Sequence, residues 1–347
     1  MSQEYRNSFK KKTLEYFKKK LDYRIIGMGG STLGAQAIYD FLKNKVKKNF
    51  IFADNLQAGK NKNIKKKYNN LVISKSGNTV ETIVNSNILL KKSDISLFIT
   101  ENKKSYLREI AHNLKAEVID HNNFIGGRYS VLSEVGMLPA ELMGLSSKNF
   151  KQLNNLVKNQ AFLNELLINV ELIISFIKAK KFNSIIINYD EKSNNLFNWY
   201  QQLVAESLGK NKSGLLPIIS VMPKDNHSVM QLYLDGFDNN FFTFFYVKED
   251  VSTKIISSKI LHEKNFLKKK NLNDILYAQK KATENIFRKK NIPFRSFEIK
   301  KRDEKTLGEL FCFFILETIL IGKALKINPF DQPAVELIKK ETKKILL

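Results

Sequence analysis

Cysteine is nearly absent. Cys312 stands alone, so no internal disulfide is available, and its neighbours Phe311, Phe313 and Phe314 mark it as a small buried hydrophobe. That usage suits a reducing cytoplasm. No apolar run reaches the roughly 20 residues of a membrane span, and the N-terminus, MSQEYRNSFKKKTLEYFKKK, lacks the apolar segment of a secretion signal. The expectation is a soluble, unexported cytoplasmic protein with no membrane partner. Only 6 prolines and 15 glycines among 347 residues leave no flexible linker, and a hydrophobic share of 43% argues against a dominantly disordered chain.

Acidic residues are also scarce, 34 against 58 basic ones, for a formal charge of +24. Such a balance invites a nucleic-acid reading. Its distribution argues against one: KKK, NKVKKN, KNKNIKKKYNN, LKKKN and RKKN are scattered over the whole chain rather than gathered on one helix or arm. No zinc-finger spacing or RNA-binding aromatic signature accompanies them. The reading is a lysine-rich solvated surface that draws small anions toward a cleft.

The length favours two units, each with its own core. After roughly twenty residues of basic amphipathic helix, apolar runs alternate with helical patterns. Strands are expected at 23–26, 50–53, 71–74, 95–100 and 116–119, with helices at 33–42, 80–90 and 105–113 between them. A long helical region at 148–180 leads to a second alternation. Its strands lie at 184–188, 218–222, 241–247 and 294–299, and its helices at 195–208, after Asn226 and at 274–289. Two helices, 303–321 and 333–346, close the chain. This pattern predicts an α/β fold, two similar layers in tandem with parallel sheets, divided as 1–147 and 148–347. Ligands of such sheets bind beyond the carboxyl ends of the strands.

Two loops there suit a phosphate. GMGGSTLG, at 27–34, turns from the first strand into a helix expected to begin near Ser31, and its glycines and helix N-terminus present N–H groups to an anion. It is not the dinucleotide fingerprint, because Thr32 stands where the third glycine is needed, although Asp54 imitates the ribose-binding acid. ISKSGNTVET follows the third strand. A capping box of Asn78 and Glu81 explains part of it. Ser74, Lys75, Ser76 and Thr79 are left over, and hydroxyls beside a helix start form a phosphate cradle.

GMGGSTLG and SKSGNTVET resemble the two loops of the sugar isomerase domain, the second being similar to the serine-threonine loop of the glucose-6-phosphate isomerase family. The resemblance implies two tandem three-layer α/β/α sugar isomerase domains, mainly parallel and flavodoxin-like, plus C-terminal helices. Four further segments extend it. WYQQLVAESLGK is similar to the family's glutamate segment and places its catalytic base on Glu206. That residue continues the stripe Leu196, Trp199, Leu203, so a buried face and a carboxylate pKa raised by desolvation are expected. GGRYSVLSEVGMLPA resembles the segment whose arginine faces the enediolate, which matches Arg128. DNHSVMQL matches the ring-opening histidine, here His227, which in the family reaches the site from a neighbouring subunit. INPFDQPAVELIKK resembles the closing signature, with Gln332 against the sugar and Lys339, two turns along the same helical face, opening the ring. Asn226, Ala334 and Ile338 depart from the glutamine and glycines common in the family.

The resemblance implies interconversion of glucose 6-phosphate and fructose 6-phosphate through a cis-enediolate by a homodimer. Gly30, Ser31, Ser74, Lys75, Ser76 and Thr79 would hold the phosphate. No cofactor or metal is expected, since the reaction transfers only protons and no ligand cluster is visible. Rival readings are an isomerase that also accepts mannose 6-phosphate, a sugar-phosphate-binding protein without catalysis, and, disfavoured by the missing glycine, a nicotinamide dehydrogenase.

Overall fold

Short runs of β-branched and aromatic residues form the strands, and the central ones are buried on both faces, as parallel sheets covered on both sides require. The computed structural model describes residues 1–58, 67–249, 251–254 and 266–347, so most of the lysine run KNKNIKKKYNN lies outside the described residues. The first half contains α1 (Lys11–Lys18), β1 (Asp22–Gly27), α2 (Leu33–Phe41), β2 (Asn49–Ala53), β3 (Asn69–Ile73), α3 (Val80–Leu89), β4 (Ser96–Glu101), α4 (Tyr106–Asn113), β5 (Glu117–His121) and α5 (Glu134–Leu142). Its strands pair in parallel in the order β2-β1-β3-β4-β5.

The short α6 (Leu153–Leu156) and the long α7 (Gln160–Lys178) lead to the second half: β6 (Asn183–Asn188), α8 (Asn194–Leu208), β7 (Leu216–Val221), α9 (Met230–Asp235), β8 (Asn240–Val247), α10 (Leu272–Lys289) and β9 (Phe294–Ile299). That sheet is parallel too, in the order β7-β6-β8-β9. α11 (Glu304–Ala324) and α12 (Pro333–Leu346) close the chain. The expected architecture of two tandem parallel α/β layers with C-terminal helices is the observed one.

The largest core runs between the sheets, where Phe41 of α2 and Leu138 of α5 join Phe197 and Leu203 of α8 and Phe314 of α11. The outer faces are covered separately, the first by Leu107 of α4 over Val72 and Phe98, the second by Phe287 of α10 over Phe242 and Phe244. α8, a helix of the second half, therefore packs in the same core as α2 of the first. That packing brings distant segments to one place.

Four local features refine or add to the expectations. The N-terminal helix covers only Lys11–Lys18. The long helical region expected over 148–180 consists of a 3-10 turn at Ser147–Phe150, α6 and α7, the last restarted where the Asn159 side chain accepts the amide of Phe162. α7, with 19 residues, is by length and composition apolar enough to cross a membrane. Leu166, Val170, Ile173 and Ile177 give it one face in the core, and its Asn169 accepts a hydrogen bond from Arg295. Finally, the segment that carries Arg128 also contains a helix, α5, which Ser133 caps by accepting the amide of Val135.

Two buried ionic groups fasten these layers. Arg295 of β9 pairs with Glu317 of α11, which is 1% exposed, and also donates to Thr243 of β8. Removing one partner of a buried pair strands the other charge. Glu317→Ala is expected to cost about 3–5 kcal/mol in urea unfolding. Glu134 is fully buried at the start of α5, where it accepts from His121 Nδ1 at 2.6 Å, from the Tyr5 hydroxyl at 2.7 Å and from the Asn122 amide at 3.1 Å. Burial pushes its pKa up, but those hydrogen bonds outweigh burial and hold it below its ordinary value of 4.5. A depressed carboxylate stabilises the fold above its unfolded pKa and loses that contribution as pH falls through the folded one. Wild-type stability should therefore decline below about pH 4.5 more steeply than that of Glu134→Gln, as read by denaturant midpoints across pH.

Candidate active site

The two anion-suited loops leave the sheet side by side, because β1 and β3 are hydrogen-bonded neighbours with Gly27 in register with Ile73. After β1 the chain makes a 3-10 turn at Gly29–Ser31, and α2 starts at Leu33 rather than at Ser31. The turn is pressed against another segment. A Cβ on Gly30 would stand 2.3 Å from the carbonyl carbon and oxygen of Gly127, so only glycine permits that approach. Asp54, the imitation of a ribose-binding acid, accepts the Gln36 amide at 2.5 Å and serves α2 instead.

After β3, Ser74 is buried while Ser76 is exposed and Thr79 half-buried. Ser74 Oγ lies 3.0 Å from Thr79 Oγ1, and Ser76 Oγ accepts the Asn78 amide at 3.2 Å. The expected capping box does not form. Thr79 is the N-cap of α3, without a side-chain bond, and Asn78 Oδ1 instead accepts the amide of Tyr106 at 3.0 Å, tying the loop to the start of α4. Gly77, at φ +66°, turns Asn78 toward that helix. Lys75 pairs with Glu101 at 3.4 Å and donates to the Asn123 carbonyl at 3.0 Å, keeping its ammonium at the rim of the loop.

Three expected residues, far apart in sequence, meet at the carboxyl-end side of the first sheet. Arg128, in the 3-10 turn Gly127–Leu132, is 3% exposed. Its Nη1 stands 3.3 Å from Glu206 Oε1 and donates to Gln332 Oε1 at 2.8 Å. Its Nε donates to Ser207 Oγ at 2.8 Å, and its Nη2 to the carbonyls of Pro329 at 2.7 Å and Asp331 at 3.0 Å. Glu206 occupies the last turn of α8. Its side chain is 22% exposed, so the buried face expected for it is only half realised: the stripe ends at Leu203, and Glu206 looks onto an open cleft of about 750 Å³ that Gln332 also lines.

Sequence reasoning missed Gln202. One turn before Glu206 on α8, its Nε2 donates to Glu206 Oε2 at 3.0 Å, so each carboxylate oxygen has its own partner, Gln202 on one side and Arg128 on the other. Gln202 also lies against Gly29, its amide nitrogen 2.9 Å from where a Cβ there would be, while its Oε1 is buried without a partner. The i,i+4 spacing from Glu206 was the available signal. Tyr129 was missed as well. Its hydroxyl donates to the Pro329 carbonyl at 2.9 Å, and burial pushes the phenol pKa up, keeping it a neutral donor.

His227 and Lys339 are not brought to this cluster. His227 ends the 3-10 turn Lys224–His227 after β7 and is exposed. Lys339 pairs with Glu336 of its own helix at 2.6 Å, with 57% of its side chain exposed. The shared helical face expected for Gln332 and Lys339 is corrected too: Gln332 is the N-cap of α12, at φ −152°, and its side chain turns back to Arg128. Pro333 does open the helix, as expected. Among the described residues no group of three His, Cys, Asp or Glu side chains could hold a metal ion.

Residues 8–216 match the phosphoglucose isomerase family. The chain belongs to that family. A glucose-6-phosphate isomerase of Methanocaldococcus jannaschii is 31% identical, over 91% of this chain and 82% of the relative. Among solved structures, a hypothetical protein from Thermus thermophilus superposes with a TM-score of 0.85 at 24% identity, over 96% of this chain and 87% of that one. A glucose-6-phosphate isomerase from Chlamydia trachomatis gives 0.76 at 20% identity, over 96% and 71% of the two chains. These two structures share the fold; family membership rests on the sequence.

The approach of Gly30 to Gly127 sets where Arg128 sits. Gly30→Ala should push the Gly127–Arg128 backbone away, at a cost of about 1–3 kcal/mol in stability. The expected result is a folded protein, by circular dichroism, with at least about tenfold lower activity on a sugar phosphate.

Proposed function

We infer that this protein is a glucose-6-phosphate isomerase, interconverting glucose 6-phosphate and fructose 6-phosphate through a cis-enediolate. The observation that carries the reading is the convergence of Glu206 and Gln332, which line one cleft, on the buried Arg128, in a chain of the phosphoglucose isomerase family.

The chemistry follows from that arrangement. Aldose-ketose isomerisation moves one proton between C2 and C1, and a single base can take and return it. Glu206 is suited to be that base, a carboxylate at the cleft that Gln202 and Arg128 fix rather than leave free to rotate. Removing the proton leaves negative charge on the enediolate oxygens. Arg128, a cation already held in place, meets that charge without reorganising when the substrate reacts. Gln332, bonded to Arg128, is placed to fix the sugar hydroxyls. Ser31, Ser74, Ser76 and Thr79, with backbone at Gly30 and the Lys75 ammonium nearby, would take the phosphate, since hydroxyls and helix-start amides at adjacent strand ends suit an anion.

His227 and Lys339 are assigned to ring opening. His227 is exposed and joined to none of the other site residues within one chain, which supports its donation to the site of a second copy in a homodimer. The substrate pair places the enzyme in glycolysis and gluconeogenesis, and the single buried thiol of Cys312 agrees with a cytoplasmic setting.

The test is a coupled assay in both directions. Wild-type protein should interconvert the two sugar phosphates, and Glu206→Gln should lower kcat by about 10²–10⁴-fold with KM changed little. Near-normal turnover by Glu206→Gln would remove Glu206 as the base.

A further inference from the structure

Lys210 differs from a solvated lysine such as Lys339. Only 13% of its side chain is exposed, and its ammonium faces three oxygens. It donates to the Ser207 carbonyl in the last turn of α8 at 3.2 Å and to the Asn328 carbonyl, and it pairs with Asp331 Oδ1 at 2.7 Å. A lysine ammonium has three protons, so the set is complete. Its backbone is held as well: Lys210 and Ser213 exchange backbone hydrogen bonds across the tight turn after α8.

The segment it grips is the turn 328–332, which ends in Gln332 and starts α12. Lys210 takes the turn at Asn328 and Asp331, while Arg128 and Tyr129 take it at Pro329, Asp331 and Gln332. The turn also braces itself, Asn328 Nδ2 donating to Asp331 Oδ2 at 3.1 Å. α12 buries none of its residues, so it has no packing of its own to fix its start. An ordinary surface pair with the half-exposed Asp331 would count for little. Two of the three acceptors here are backbone carbonyls, however, and replacing the lysine removes their donor.

We propose that Lys210 is a positioning residue of the active site, a cationic latch joining the end of α8, which carries Glu206, to the turn that delivers Gln332. The proposal rests on the isomerase reading for its kinetic consequence and on the turn's geometry for its structural one. Its experiment reads both. Hydrogen–deuterium exchange is followed over 328–346 in full-length wild type, Lys210→Met, Lys210→Arg and Asp331→Asn, with kcat and KM for fructose 6-phosphate measured on the same preparations.

Lys210→Met is expected to speed exchange over 328–335 and to lower kcat/KM about tenfold or more, in line with the loss of charge-assisted hydrogen bonds. Lys210→Arg should recover part of both effects. Asp331→Asn should do less than Lys210→Met, because it leaves the two carbonyl contacts intact. Unchanged exchange in Lys210→Met overturns the latch. Faster exchange with kcat/KM within about twofold of wild type overturns the positioning role. Wild type without isomerase activity would overturn the isomerase reading, leaving exchange to decide the latch.

Discussion

A guanidinium buried to 3% exposure must find acceptors for its protons, and Arg128 finds them on two other parts of the chain. Its own segment follows β5 of the first sheet. Its partners are Ser207 and Glu206 at the end of α8, in the second half, and the carbonyls and amide side chain of 329–332 near the C-terminus. Withdraw that residue and three elements lose their common centre, with several buried oxygens left unpaired. The Trp199 indole reinforces the junction by donating to the Arg128 carbonyl at 3.2 Å, so the backbone is gripped as well as the side chain.

The junction sits where it does because of the core. α2 and α8 lie together between the sheets, and Asn195 of α8 donates to Asp40 of α2. That contact sets α8 so that its last turn reaches the loops of the first sheet, bringing Gln202 to Gly29 and Glu206 to Arg128. The phosphate-suited loops and Glu206 thus come from different halves of the chain, and the cluster of Glu206, Arg128 and Gln332 draws on both.

Charge is handled differently at the centre and at the periphery. Around Arg128 each ionic group has a specific partner, and Lys210 repeats that pattern beside it. Lys339, by contrast, pairs with a neighbour on its own exposed helix, and His227 is exposed within the single chain. The net charge of +24 belongs to this outer population, a solvated surface whose general attraction for anions adds to a cleft already lined by cations.

Strand-helix alternation, the glycine turns after β1 and β3, and the helix starts at Pro333 and Asp303 were legible because they depend on neighbours a few residues away. Glu206 carried only the signal of continuing an apolar stripe, which by itself marks no base, and Arg128 and Gln332 carried less; resemblance to the sugar isomerases singled them out. Tertiary structure alone decided that Asn78 caps α4 rather than α3 and that Gln332 turns back to Arg128 instead of lying along α12 beside Lys339. It also brought Gln202 to Glu206 and Lys210 to the turn that ends in Gln332. The physical reason is common to all four. Periodicity reports which side of an element a residue occupies, whereas a hydrogen-bond partner is chosen by which distant segment the packed core brings within reach of that side.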